Sequence, residues 1–192
     1  IYLPERPFNE EEFLEDVKKL YDEKGGVVVV ASEGLKGADG QPIVPPIFKA
    51  GRATYYGDVS AHLANLVIQK LGIKARSEKP GICGRASIAW QSPVDRDEAV
   101  IAGREALKAP VQGGVMVGFI RDETEDGSYK VHVERIPIEQ VMMYERTVPA
   151  EYINERGNDV TEAFTKWCKP LIGPELRDFI DFHEEREKIE KK

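Results

Sequence analysis

The sequence predicts an α/β fold: a three-layer, mostly parallel sheet with helices on both faces, followed by a mainly helical C-terminal tail. Three observations predict it. Val27-Val28-Val29-Val30-Ala31 is apolar at every position and β-branched, the pattern of a strand covered on both sides. This run follows a helix signal, which itself follows the strand-like Tyr2-Leu3, giving a βαβ unit. Further helix signals then alternate with short extended runs. The tail departs from that alternation, so residues 1–136 are expected to form an α/β lobe. Residues 137–192 are expected to form a mainly helical extension packed on that lobe, its last residues solvated.

The elements follow from local signals. Asn9 stands ready to cap a helix, Glu12 to complete a capping box, and Phe8 to staple onto Phe13. Phe13, Val17, Leu20 and Tyr21 share a face, and Gly25-Gly26 ends the helix near Glu23. Residues 35–57 hold scattered glycines and prolines without periodicity and read as one long loop. A second helix is expected from Val59 to Leu71, capped by Asp58 or Ser60 and stopped at Gly72. Ile73–Arg76 reads as a short strand. A third helix runs from a Ser92-Pro93 cap to about Ala109, with Val94, Ala99, Ala102 and Ala106 inward. Val115–Ile120 and Tyr129–Arg135 flank Asp126-Gly127-Ser128 as a hairpin-like pair. Pro137–Tyr144 reads as a short helix. An amphipathic helix from Val160 to Trp167 is expected to break at Pro170, and another to open at Pro174.

Composition narrows the function. The chain has 192 residues, 41% apolar and 32% charged, with a formal charge of −7. Such a length suits one domain, or a domain with an appendage. The apolar content excludes disorder, and no apolar run is long enough to span a membrane. Net acidity without a dense Lys/Arg block argues against a nucleic-acid surface. Cys83 and Cys168 form neither a disulfide framework nor a metal-ligand spacing, and His62, His132 and His183 share no motif. No signal peptide or glycosylation triplet appears, so the expected compartment is the reducing cytoplasm. The chain opens at Ile1 inside what reads as a strand, and is expected to be a piece of a longer protein.

Two places could carry chemistry. Ser32-Glu33-Gly34 lies just beyond the carboxyl end of the valine run, where ligands bind in open α/β sheets. A glutamate there can accept hydrogen bonds from two sugar hydroxyls; equally, Glu33 is a solvated loop acid beside a turn glycine. The second place is Arg76-Ser-Glu-Lys-Pro-Gly-Ile-Cys-Gly-Arg85, where two guanidinium groups bracket a Pro-Gly turn. Such groups fork onto phosphate, or simply pair with Glu78 and other surface acids. The remaining features read more plainly. Cys83 is a small thiol, buried or half-buried. His62 is a helix surface or packing residue, Gly113-Gly114 a turn, and Trp90 and Trp167 core or interface aromatics.

Taken together and in order, these segments resemble the phosphofructokinase family. The segments are Val27-Val-Val-Val-Ala-Ser-Glu-Gly34, Leu63-Ala64, Gly72-Ile-Lys-Ala-Arg76, Lys79-Pro-Gly-Ile-Cys-Gly-Arg85 and Ser92-Pro-Val-Asp-Arg-Asp-Glu-Ala99. The tail blocks Pro149–Asn154, Gly157–Thr161 and Lys169–Gly173 extend the likeness, which is nearest to the pyrophosphate-dependent branch. It covers the later half of such an enzyme. The glycine-rich donor loop and the Thr-Ile-Asp-Asn-Asp motif with the general base have no match here.

The resemblance implies the following. The whole enzyme is a glycolytic phosphotransferase, moving a phosphoryl group from pyrophosphate to fructose 6-phosphate. This chain supplies the sugar-phosphate lobe and no catalytic or metal-ligating residue. Glu33 holds the fructose hydroxyls, Arg85 binds the 6-phosphate, and Arg76 reaches a phosphate across a subunit interface, which implies a homo-oligomer. The family's His or Tyr is replaced by Ile82, which offers only its backbone. Mg2+ is expected, held mainly outside this chain, and the chain alone is expected to be inactive. Within the same resemblance, an ATP-dependent enzyme or a non-catalytic sugar-phosphate-binding subunit are the alternatives.

Overall fold

The computed structural model describes residues 1–109 and 115–173. Helix α1 spans Glu10–Lys24 and starts as the sequence requires: Asn9 Oδ1 accepts from the Glu11 and Glu12 N–H groups. Glu12 returns to the Asn9 side-chain amide at 3.4 Å. The Phe8 and Phe13 rings lie 5.5 Å apart, forming the staple. Gly25, at φ +73°, ends the helix in the left-handed conformation that glycine adopts without penalty. Helix α2 spans Val59–Leu71, with Asp58 accepting from the Ala61 N–H and Gly72 closing it.

These two helices build the core. Phe13 and Val17 of α1 pack with Val59, Leu63, Leu66 and Val67 of α2, and with Leu35 and Val44 from the intervening chain. Tyr2, Val27, Val29, Ala31, Ile73 and Ala75 press against this cluster from one side.

The predicted mostly parallel sheet does not form. The structure holds two separate antiparallel two-stranded sheets, β1 (Pro46–Ala50) with β2 (Ala53–Tyr56), and β3 (Val115–Arg121) with β4 (Val131–Pro137). Parallel pairing is reduced to a single bridge between Tyr2 and Ala31, made by Tyr2 N–H to Val30 O and Ser32 N–H to Tyr2 O. The physical reason lies in what a valine run specifies. β-branching favours an extended backbone, but a ladder needs a neighbouring strand in register along the run. Among the described residues only Tyr2 pairs with this run. Its inner face, Val27 and Val29, packs on the core cluster, whereas Val28 is 88% exposed, so no second helical layer covers the run among the described residues. Ile73–Arg76, expected as a short strand, forms none, although Ile73 and Ala75 pack on the same core.

The long loop expected over 35–57 contains the β1–β2 hairpin, whose aromatic residues Phe48 and Tyr55 stack at 6.0 Å. The expected Pro80-Gly81 turn leads directly into a short helix, α3 (Gly81–Ala86), followed by a 3-10 turn at Ile88–Trp90. Helix α4 spans Pro93–Lys108 behind the Ser92 cap. Of its expected inward residues, Val94 and Ala102 are half-buried, while Ala99 and Ala106 are exposed. The β3–β4 hairpin matches its expected ends closely and is pinned to α4 by the Tyr129 hydroxyl donating to Glu98 at 2.6 Å. Burial, then that bond, pushes the Tyr129 phenol up to about 12.

Pro137–Tyr144 yields only a 3-10 turn, Ile138–Gln140. Helix α5 spans Glu162–Ile172 and continues through Pro170. The proline sits in the last turn, where few following residues depend on the lost bond. Arg156 bridges from the tail to Asp16 of α1 at 2.8 Å, and the Val148 N–H donates to Glu5 at 2.9 Å. The turn expected at Gly113-Gly114, the helix expected from Pro174 and the charged run 185–192 lie outside the described residues. No helix among the described residues is long and apolar enough to cross a membrane.

Candidate functional site

The segment from Gly72 to Ala99 carries the strongest site. Gly72 turns the chain out of α2, and Ile73 and Ala75 anchor it to the core, which leaves Arg76 pointing to solvent. Lys79 Nζ then reaches Asp58 Oδ2 at 2.9 Å. Asp58 thus caps α2 with one oxygen and holds the incoming loop with the other. The Ser60 hydroxyl, and next the Lys79 ammonium, keep its carboxyl down at about 2. Pro80 leads into α3 at an αR angle, and Gly84 packs over it: a Cβ at 84 would fall 2.8 Å from Pro80 Cβ. The Pro-Gly-Ile-Cys-Gly spacing therefore makes one tight turn that delivers Arg85.

Arg85 opens on a cavity of about 340 Å3. The wall runs from Gly84 through Ser87, Ile88 and Trp90 to Gln91, then to Ser92, Asp95, Arg96 and Ala99 at the start of α4. That volume falls within the range of small-molecule sites. Among the described residues the Arg85 guanidinium has no hydrogen-bond or ion-pair partner. An unpaired guanidinium on an open cavity is an anion-binding group by its chemistry.

The other predicted residues stand elsewhere. Glu33 follows the Tyr2–Ala31 bridge and is exposed; beside it, the Ser32 hydroxyl accepts from the Gly34 N–H at 3.4 Å. Ile82 is 74% exposed, side chain included, on α3. Glu33, Arg76 and Ile82 all lie outside the lining of the Arg85 cavity. Cys83, expected to be at least half-buried, is exposed, because the six-residue α3 has no element covering it. Trp90, expected in a core or interface, is 68% exposed on the cavity wall.

Sequence reading missed two things here. The Lys79–Asp58 link joins residues in different elements, and no local signal announces it. Arg96 was passed over as part of a helix start, although the Ser92-Pro93 cap fixes that start and so returns residue 96 to the preceding loop. Among the described residues no group of three or more His, Cys, Asp or Glu side chains is placed to hold a metal ion.

Comparison with known proteins places this chain in the phosphofructokinase family. No protein-family model matches the chain. It is 32% identical, over 97% of its length, to pyrophosphate–fructose 6-phosphate 1-phosphotransferase of Rhodospirillum rubrum. It is 34% identical, over 90% of its length, to sulfofructose kinase of Alkalicoccus urumqiensis. The crystal structure of pyrophosphate-dependent phosphofructokinase from Marinobacter aquaeolei superposes with a TM-score of 0.73 at 28% identity, covering 95% of this chain and 42% of that one. The chain is a homologue of the pyrophosphate-dependent phosphofructokinases. It spans about half the length of the curated relatives it matches, 48% of the Rhodospirillum protein and 43% of the Alkalicoccus one.

Proposed function

We propose that this chain holds the acceptor sugar in a phosphotransferase that moves a phosphoryl group from pyrophosphate to the C1 hydroxyl of fructose 6-phosphate. The product is fructose 1,6-bisphosphate. The observation that carries the reading is the Arg85 guanidinium, without a partner among the described residues, beside an open cavity in a chain homologous to enzymes of that name. Phosphoryl transfer is mainly positioning and charge stabilisation. Arg85 anchors the 6-phosphate, and Glu33 accepts hydrogen bonds from ring hydroxyls. Arg76 lies off the Arg85 cavity of its own chain and serves a phosphate in a second copy, which makes the working enzyme a homo-oligomer. At Ile82 the backbone alone contacts the sugar. The donor, the general base and Mg2+ are held by parts of the enzyme outside this chain, and no step above runs through the metal. The setting is cytoplasmic.

The test is turnover by the protein as its gene encodes it. Fructose 6-phosphate is offered with pyrophosphate or with ATP, and sulfofructose is offered as a rival acceptor. Turnover with pyrophosphate and fructose 6-phosphate is expected. Faster turnover with ATP would move the enzyme to the ATP-dependent branch. The 34% identity to a sulfofructose kinase favours one second reading, a sulfonated sugar at the same anion site. Preference for sulfofructose would establish it, and no turnover in any combination would leave a binding subunit.

A further inference from the structure

Resting on the sugar-phosphate reading above, we propose that Arg96 is a second anion-binding guanidinium of the Arg85 cavity, so that the two arginines together grip the dianionic end of the sugar. Both side chains line one cavity of about 340 Å3, Arg85 from the end of α3 and Arg96 from the first turn of α4. Among the described residues, the only carboxylate on that wall is Asp95. Two guanidinium groups thus face one cavity in a chain whose formal charge is −7.

Arg96 is available for that task. Its partner is Asp97, the next residue, at 2.9 Å, with side chains 55% and 65% exposed. An ion pair so exposed is weak and exchanges readily for a better-fitting anion. A phosphate monoester is such an anion, because it accepts two parallel bonds from each guanidinium fork and carries close to two negative charges at neutral pH.

The framework behind Arg96 is firm. Ser92 Oγ accepts from the Asp95 N–H at 3.2 Å and donates to Leu171 O of α5 at 2.6 Å. The start of α4 is thereby tied to a second helix, and Arg96 is presented from a fixed turn. Arg85, on a six-residue helix, is held by the Pro80–Gly84 packing instead. The anion is clamped between two independently anchored walls, with Ser87 and Gln91 as further polar groups between them.

The experiment measures KM for fructose 6-phosphate and for the phosphoryl donor in the protein as its gene encodes it, with Arg85→Gln, Arg96→Gln and Arg96→Lys. Arg96→Gln is expected to raise the fructose 6-phosphate KM about tenfold or more and to leave the donor KM within about twofold. Arg96→Lys is expected to recover part of the loss, since it restores the charge without the fork. An unchanged KM in Arg96→Gln beside a raised one in Arg85→Gln overturns this proposal and leaves the acceptor-site reading standing. Unchanged values in both variants overturn the two together. A donor KM that rises as much as the acceptor KM marks general damage and counts against a role for Arg96 in sugar binding.

Discussion

Single side chains carry most of the energetics that the fold makes visible. Phe13 is 1% exposed and lies edge-on to Tyr2 and tilted against Phe8, with ring centroids 5.5 Å away in each case. Phe13→Ala is expected to cost about 3–5 kcal/mol, read by denaturant unfolding, because the cavity it leaves is walled by two helices that cannot close on it. Asp58 makes a pH prediction. Its folded pKa of about 2 lies below the ordinary carboxylate value, so its contribution is present above roughly pH 4. That contribution is lost as pH falls through about 2. The stability difference between the native protein and Asp58→Asn should therefore shrink between pH 4 and pH 2, as followed by thermal melts. A constant difference over that window would show that Asp58 is not charged in its folded role. The cap function of Asp58 was legible in the sequence as one of two choices. Its grip on Lys79 was not, since a contact between an α2 cap and a later loop depends on the path of the chain between them.

At the scale of elements, the helices with strong end signals were readable almost to the residue. Asn9 and Gly25 bracket α1, Asp58 and Gly72 bracket α2, and Ser92 opens α4, because caps act through bonds within a few residues. The sheet was not readable. Whether Val27–Val30 joins a ladder depends on strands distant in sequence, and here one bridge to Tyr2 is all the run obtains. The β1–β2 hairpin was missed for a different reason. Its turn is Gly51-Arg52 within a stretch crowded with prolines and glycines, so no alternation stands out. Pro170 misled because its position in the helix, rather than its presence, sets its cost. Ser92 gives the element-scale prediction. Ser92→Ala removes the α4 cap and the bond to Leu171 O together, and should cost about 1–2 kcal/mol, while Ser92→Thr should retain most of both. Equal losses in the two variants, measured by denaturant unfolding, would show that the hydroxyl does not link α4 to α5.

Across the whole molecule, the buried core is small and lies almost wholly between α1 and α2. Val28, Ile88, Leu107 and Met143 each stand nearly fully exposed, and Trp90 and Tyr144 largely so. Exposed apolar side chains at that density offer binding surface to an apolar probe. The 192-residue chain by itself is expected to bind a hydrophobic dye such as ANS strongly, and dye binding no higher than that of a tightly packed monomer would contradict this. Of the candidate site, Arg85 stands out in the sequence because a Pro-Gly turn between two guanidinium groups is a local pattern, while the phosphate role expected of it comes from the family resemblance. Its cavity does not stand out, because Trp90, Gln91 and Arg96 come together only through the 3-10 turn and the α4 start. Glu33, expected beside the same sugar as Arg85, stands outside that cavity's lining, and local sequence carries no signal of where the two lie relative to each other.

The central claim is that Arg85 anchors the acceptor sugar through its phosphate, and the KM for fructose 6-phosphate of Arg85→Ala, in the protein as its gene encodes it, tests it most directly. The account predicts a rise of about tenfold or more with the donor KM little changed, since a charge-assisted contact is lost at one end of one substrate. A fructose 6-phosphate KM equal to that of the native enzyme would contradict it.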